Sequence, residues 1–384
     1  MGQTLVIAEK PSVAGDIARA LGGFKKDGDF WVSDAMIVGS AVGHLLEIKA
    51  PEEYDVKRGR WSFANLPVLP PHFDLQPIKK SIKKFEGLEK KIRSRSVTDI
   101  INACDAGREG ELIFRYIIQA TGTKKPIRRL WLQSMTKTSI QKAFTALRSD
   151  AEMKPLEAAA RSRSEADWLV GINGTRALTA FNSKDGGFFL TTVGRVQTPT
   201  LAIVVAREEE IAHFKPQNYW EVHATFGAQA GDYDSVWVDA DFKKTKGQSA
   251  ELKPERLWTA AEAQAIVAKC QGKLGIVTDH KRRATSAPPA LFDLTSLQRE
   301  ANGRFGFPAK MTLAILQRLY ERHKVLTYPR TDSRALPEDY PETMKETLSH
   351  LQKLEAYNAF AGQILMSGWV KGDNRRIFDN KKIS

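Results

Sequence analysis

TLVIA at residues 4–8 is a short, partly β-branched apolar run, and Glu9-Lys10-Pro11-Ser12 interrupts it before VAGDIARALGG takes up helical spacing. The same strand, turn and helix recur as DIINAC at 99–104, the turn Asp105-Ala106-Gly107-Arg108-Glu109-Gly110-Glu111, and LIFRYIIQATG. Gly107 and Gly110 loosen that second turn. Strands alternating with helices predict an α/β architecture with a parallel sheet over roughly the first 150 residues. In such sheets ligands gather outside the carboxyl ends of the strands, which is where Glu9 and Asp105 fall.

At 384 residues the chain exceeds what one hydrophobic core organises, so about two to four domains, some interleaved in sequence, are expected. Lysine and arginine number 58 against 45 acidic residues, a net charge of +13, and the pI is near 9.5. That balance points to a polyanionic partner, either nucleic acid or an anionic membrane. The membrane is the poorer fit, because no stretch approaches the roughly 18 uninterrupted apolar residues of a spanning helix. MGQTLVIAEKPS also carries charge after only a short apolar run, unlike a signal peptide. The expectation is a cytoplasmic protein. Cys104 and Cys270 are the only cysteines, too few for a disulfide framework and without the paired spacing of a zinc site. Both are expected to be buried small apolar residues, Cys104 within a strand. Neither GxxxxGK[ST] nor GxGxxG occurs, so any strand chemistry must run without ATP bound by this chain.

The pattern then divides the chain. Residues 1–155 form the sheet domain, and 156–213 are helical, with LEAAARSRSEADWLVGINGTRALTAF and VGRVQTPTLAIVVAREEEI flanking the break at Lys184-Asp185-Gly186-Gly187. Residues 214–284 turn toward strands, as in YWEVHATF and YDSVWVDADF, with a helical insert at TAAEAQAIVAKC. HKRRATSAPPALFD, with Pro288-Pro289, reads as an extended connector, and 285–384 is helical again. The basic run Lys79, Lys80, Lys83, Lys84, Lys90, Lys91, Arg93 and Arg95 has Ile82, Phe85, Leu88 and Ile92 at helical spacing. It reads as the solvated face of a surface helix rather than a specific DNA contact.

Magnesium prefers hard oxygens, one or two carboxylates shared with phosphate oxygens. Asp105 and Glu109 are four residues apart, and with Glu109 in the first turn of the helix they converge with Glu9 across the neighbouring strand end. Taken singly such acids are ordinary surface charges; the glycine turn and the apolar strands before them give the set its weight. Near the other end, LTYPRTDSRALP at 326–337 places Tyr328 before Pro329, which disfavours helical dihedrals and holds the tyrosine extended on a loop.

Glu9 in EKPSVA with Asp105 and Glu109 in DAGREGE resembles the Toprim module, a Rossmann-like sheet with a glutamate at one strand end and an acidic set at another. Gly107 stands where many Toprim proteins carry a second aspartate, which fits the topoisomerase III subgroup and leaves open one metal ion or two. Tyr328, Arg330, Thr331, Asp332 and Ser333 resemble the active-site segment of type IA DNA topoisomerases. ARSRSEADWLVG (160–171), VGRVQTPTL (193–201) and LTSLQREANGRFGFPAKMTL (294–313) are similar to further motifs of that family, so the resemblance runs along nearly the whole chain.

The resemblance implies a Toprim domain followed by helical and small β domains, Mg²⁺ as cofactor at Glu9, Asp105 and Glu109, and attack by Tyr328 on phosphorus to give a 5′-phosphotyrosyl link. A phenol ionises near pH 10 and is a weak nucleophile at neutrality, so the site must stabilise a phenolate or accept its proton. Arg330 is the permanent cation beside the nucleophile. Glu9, its pKa raised by neighbouring acids, is the candidate acid for the leaving 3′-oxygen. Lys10 would bind the scissile phosphate, the alternative being an ion pair that balances the acids. Exchange of one phosphodiester for another needs no fuel. The family pattern implies DNA contacts at Arg163, Asp167, Arg195 and Gln197, each with a structural ion pair or cap as alternative. Trp168 reads as packed rather than base-stacking, and His44 in GHLLEI as a family-like residue or a structural hydrogen bond.

Single-stranded or negatively supercoiled DNA is the implied partner, with relaxation or decatenation the outcome, a monomer the working form and the bacterial nucleoid its place. After IFDNKKIS (377–384) the family pattern continues into D-H-x-A-I-x-P-T; the expectation is of a partial chain that binds metal and DNA but relaxes DNA weakly or not at all. Two other readings stand at this point: a Toprim nuclease or primase, which needs the acids but not Tyr328, and a non-catalytic DNA-binding fragment.

Overall fold

A computed structural model of the chain describes residues 2–53, 61–243, 251–323 and 325–383. By its internal contacts the chain forms two compact units, Met1–Thr198 with Pro288–Ser384, and Pro199–Ala287.

The first unit opens with β1 (Gln3–Ala8) and α1 (Pro11–Leu21), as the apolar run and the helix-compatible proline at its first position dictate. Three short strands follow, β2 (Lys25–Asp27), β3 (Phe30–Val32) and β4 (Met36–Ser40), then β5 (Leu46–Ile48) and β6 (Leu75–Pro77), which pair with each other. Helix α2 (Ile82–Arg93) leads to β7 (Val97–Ala103) and α3 (Arg108–Thr121). After β8 (Ile127–Arg129), α4 (Lys137–Thr145) and β9 (Arg148–Ser149) comes the long helix α5 (Asp150–Asn182).

Seven strands form one sheet in the order β2-β3-β4-β1-β7-β8-β9. Its centre, β4-β1-β7-β8, is parallel as expected, with Val6 beside Val38 on one side and Ile101 on the other. The edges are not: β2, β3 and β9 join antiparallel, making the sheet mixed. These outer strands are only two or three residues long (KKD, FWV and RS). FWV also packs into the core through Phe30, Trp31 and Val32, whereas KKD and RS are held by their neighbour's ladder without an apolar pattern of their own.

Alternation along β1 sends Leu5 and Ile7 to one face and Val6 and Ala8 to the other. On the first face α2 and α3 deliver Phe85, Leu88, Ile92, Ile113, Phe114 and Ile117; on the second α1 and α4 deliver Val13, Ile17 and Ile140. Each such buried side chain contributes roughly 1.5–3 kcal/mol, so both faces firmly fix the strand ends between them. The basic residues of α2 point outward, with Lys84 3.0 Å from Asp29 and Lys91 4.0 Å from Asp27, in keeping with a solvated helix face. Cys104 is buried but lies one residue past the end of β7.

The first unit closes with α8 (Leu294–Phe305), α9 (Ala309–Arg318), α10 (Tyr340–Leu351) and α11 (Asn358–Met366), numbered after the two helices of the second unit. That second unit holds all but the first two residues of α6 (Gln197–Ala212), the antiparallel hairpin β10 (His223–Ala228) and β11 (Gly231–Val236), and α7 (Ala260–Cys270). Phe226 and Tyr233 stack across the hairpin at 5.5 Å, and Trp220 bridges to Leu257. Within 214–284 the described residues thus hold one two-stranded hairpin and the helix α7, with residues 244–250 outside the described part. Cys270 departs from its expected burial: it ends α7 exposed, because among the described residues this small unit buries only the apolar side chains of Leu257 and Ala263. Among the described residues no helix is long and apolar enough to cross a membrane.

Candidate active site

Glu9 and Lys10 leave the carboxyl end of β1, and Lys10 sits with extended backbone immediately before α1. Asp105 follows β7, the adjacent strand, so the parallel register carries both acids to the same sheet edge. Glu9 is buried, and the Asp105 amide nitrogen lies 3.4 Å from its Oε2. Lys10 Nζ lies between the two acids, 3.8 Å from Glu9 Oε1 and 3.6 Å from Asp105 Oδ2.

Tyr328 reaches the same place from the far end of the chain. Its ring centroid is 4.5 Å from Lys10 Nζ, and the ring of Tyr320 meets it edge-on at 5.5 Å. The loop is anchored just after the tyrosine: Pro329 is buried, Leu294 N–H donates to Thr331 O at 3.0 Å, and Arg334 Nε donates to Asp293 Oδ2 at 2.8 Å. Asp339 further ties this segment to the sheet domain, accepting from Ser134 Oγ at 2.9 Å and Thr136 Oγ1 at 2.5 Å. A cleft of about 400 Å³ opens beside the lysine, lined by Lys10, Pro11, Ser12, Val42, Gly43 and Glu321.

The electrostatics follow from this crowding. Burial, then the charge of Asp105, pushes the Glu9 carboxyl above its ordinary value, against the opposing pull of Lys10. Burial works against the Lys10 ammonium, but Asp105, Tyr328 and Glu9 together hold its pKa above the ordinary lysine value. The Tyr320 phenol is pushed up to about 12 by burial, so Tyr320 stays protonated at neutral pH.

Glu109 lies in the first turn of α3 as expected, yet its side chain turns to His44, with Nε2 and Oε1 2.6 Å apart. Among the described residues no three His, Cys, Asp or Glu side chains stand close enough together to hold a metal ion. Arg330 is exposed and takes no part in the ion pairs around Lys10. On α5, Arg163 and Asp167 are one turn apart at 3.9 Å, and Arg195 Nε approaches Asp167 Oδ1 at 2.6 Å. Gln197 begins α6, exposed, with its side chain close against Gly194. Trp168 packs edge-on to Phe73 and donates to Lys49 O at 3.2 Å.

The turn after β7 has its own steric logic. A Cβ on Gly110 would lie 2.3 Å from the Asp105 carbonyl oxygen and 2.7 Å from its nitrogen, whereas one on Gly107 meets open space. Gly110 therefore permits the close turn, and Gly107, in extended backbone, does not need to be glycine.

Sequence reasoning passed over Tyr320 and the buried polar set Asn102, Glu111, Arg115 and Arg129. A signal was available for Glu111 and Arg115: two charges four apart inside an apolar helical run form an internal pair, seen at 2.7 Å. Tyr320 and Arg129 carry no local pattern that distinguishes them.

Acids at the carboxyl ends of two adjacent parallel strands are the arrangement of a Toprim domain, and residues 4–135 match that family. Residues 151–382 match the family described as DNA topoisomerase, and the chain belongs to the DNA topoisomerases. It is 40% identical over its whole length to the DNA topoisomerase 3 of Bacillus licheniformis, of which it covers 50%. Against the DNA topoisomerase 3 of Bacillus subtilis it is 40% identical over 99% of its length, again covering 50% of that protein. The chain thus spans about half the length of the curated relatives it matches. The full-length topoisomerase I of Thermotoga maritima shares the fold with a TM-score of 0.54 and 23% identity, over 90% of this chain and 52% of that one. The expected α/β fold class and topoisomerase III kinship agree with these matches.

Proposed function

We propose that this chain breaks one strand of DNA by attack of the Tyr328 hydroxyl on phosphorus, forming a 5′-phosphotyrosine and freeing a 3′-hydroxyl, and reseals it without ATP. The observation that carries this reading is the meeting of Tyr328 with Lys10, and through Lys10 with Glu9 and Asp105, within one compact unit. As the phenol oxygen attacks phosphorus its proton passes to water, and the Lys10 ammonium beside the ring is a cation at hand for the negative charge in the reacting group. The same ammonium suits a phosphate oxygen, which would draw it from the carboxylates.

As the phosphorus–oxygen bond to the 3′-oxygen breaks, that oxygen needs a proton. Glu9, held protonated to a higher pH than a free glutamate, is the acid suited to give it. Resealing runs the same path backward: Glu9 takes the proton from the 3′-hydroxyl and the phenol leaves. Arg330, exposed on the tyrosine's own loop, is free to hold the phosphate on its other side.

Carboxylate oxygens are the donors magnesium prefers, and Asp105 and Glu109, 42% and 71% exposed, suit an ion that keeps most of its waters. What Mg²⁺ at Glu9, Asp105 and Glu109 supplies when bound is positive charge against the phosphate oxygens. Single-stranded or negatively supercoiled DNA would lie along Arg163, Arg195 and Gln197, with Asp167 paired to the two arginines and offsetting part of their charge. We take the working form as a cytoplasmic monomer acting on bacterial DNA.

The test is a 5′-labelled single-stranded oligonucleotide incubated with the protein and Mg²⁺, then denatured and digested. A peptide containing Tyr328 linked to the 5′ end of the break is expected, and it should vanish in Tyr328→Phe. Cleavage that survives Tyr328→Phe would point to a nuclease. Strongly salt-dependent binding, indifferent to Mg²⁺ and without an adduct, would point to a DNA-binding fragment.

A further inference from the structure

Arg129, the last residue of β8, is 1% exposed, a rare position for a side chain that cannot give up its charge. Its guanidinium is spent almost wholly on main-chain oxygens at the end of the neighbouring strand. Nη1 donates to Asn102 O at 3.1 Å, Asn102 Oδ1 at 3.0 Å and Cys104 O at 2.7 Å, and Nη2 donates to Asp105 O at 2.7 Å. Its charge is met by Glu111, fully buried, whose Oε2 is 3.5 Å from Nε. Glu111 in turn accepts from Asn102 Nδ2 at 3.0 Å and from Arg115 Nε at 2.7 Å.

Carbonyls at the end of a parallel strand lose their ladder partners where the chain turns away, and unpaired in a dry interior each would be costly. Here one rigid fork reaches three strand-end oxygens: Asn102 O, which also keeps its bond from Leu130 N–H at 2.9 Å, then Cys104 O past the end of the ladder, and last the peptide that carries Asp105. The Asp105 carbonyl also accepts from Gly107 N–H at 2.9 Å, and Gly110 closes against it. The backbone of Asp105 is therefore fixed from the sheet side by Arg129 and from the helix side by the glycines, while its carboxylate stays open toward Lys10.

We propose that Arg129 is a positioning residue for the cleavage site, setting the place of Asp105, and so of its carboxylate, without itself touching DNA or metal. The inference rests on the reading that Asp105 helps to hold Mg²⁺. Lysine keeps the charge beside Glu111 but cannot span Cys104 O and Asp105 O with the planar geometry of a guanidinium. Outer residues that orient a ligand typically change metal affinity 10- to 100-fold when altered.

The experiment compares the unaltered chain, Arg129→Lys, and the neutral pair Arg129→Gln with Glu111→Gln. Mg²⁺ binding is followed by calorimetry without DNA, oligonucleotide binding without Mg²⁺, and adduct formation against Mg²⁺ concentration, with circular dichroism reporting the fold. In a folded variant Mg²⁺ binding and the Mg²⁺ needed for half-maximal adduct should both weaken about tenfold or more, with metal-free DNA binding unchanged. Unchanged Mg²⁺ dependence in a folded variant overturns the inference alone, and so does failure of both variants to fold, which would make Arg129 a residue of the core. If the unaltered chain neither binds Mg²⁺ nor forms the adduct, the functional reading falls and takes this one with it.

Discussion

Replacing Gly110 by alanine should damage this protein far more than the same change at Gly107, although both glycines lie in one turn. The added methyl at Gly110 would sit 2.3 Å from the Asp105 oxygen and 2.7 Å from its nitrogen, against a comfortable separation of about 3.5 Å. Relief requires the Asp105 peptide or the start of α3 to move by roughly 1 Å, and forced displacements of packed groups cost about 1–3 kcal/mol. The Asp105 carbonyl is also the acceptor for Arg129 Nη2 and Gly107 N–H; weakening a charged hydrogen bond there adds about 1.5 kcal/mol or more. A loss of about 3 kcal/mol is expected, which for a unit of this size lowers the melting temperature by roughly 6 °C. Gly107 has extended backbone and open space around it, so alanine there should hold or gain about 0.4–1 kcal/mol by restricting the unfolded chain. Thermal melts followed by circular dichroism decide the matter. The steric argument is wrong if Gly110→Ala melts within about 1 °C of the parent, or if Gly107→Ala loses as much.

Glu9 gives a pH prediction with a definite sign. Its folded pKa is raised above the ordinary 4.5, so the folded chain holds that proton more tightly than the unfolded one, and the stability it brings is complete below 4.5 and lost as pH rises through the folded value. In chelator-treated protein, Glu9→Gln should therefore gain stability over the parent as pH climbs from 4 toward neutrality; urea midpoints that keep a constant gap across that range would contradict it. On α5, Asp167 lies 2.6 Å from Arg195 and 3.9 Å from Arg163 and offsets part of their charge. Asp167→Asn should strengthen single-stranded DNA binding, while Arg195→Ala should weaken it and lower the slope of log affinity against log salt by about 1. Anisotropy titrations in which Asp167→Asn binds no better would show that the carboxylate orients the arginines rather than competing with phosphate.

The central strands and the helices after them were readable because TLVIA and DIINAC are apolar enough to demand a buried strand whatever surrounds them. The outer strands were not, since KKD and RS carry no apolar pattern and acquire strand geometry by pairing with a neighbour already in place, while FWV, apolar and packed on the core, is too short to show a period. The first turn of α3 was legible, but the direction of Glu109 was not: that depends on His44, brought close by the tertiary fold. Lys10 and Tyr328 could be marked individually by type and by resemblance, whereas their contact is a fact of folding that no local spacing encodes. Arg129 was invisible for a sharper reason. Hydropathy puts arginine outside, and it is the oxygens just past the end of β7 together with the buried Glu111 that explain why this one is inside.

The first unit is discontinuous, Met1–Thr198 being completed only by Pro288–Ser384. On the ribosome, the acid-bearing strands can therefore fold while the tyrosine has yet to be synthesised. A nascent chain at that stage has the acids and Lys10 in place without Tyr328, and the two halves of the centre meet only when the later segment docks onto the earlier one.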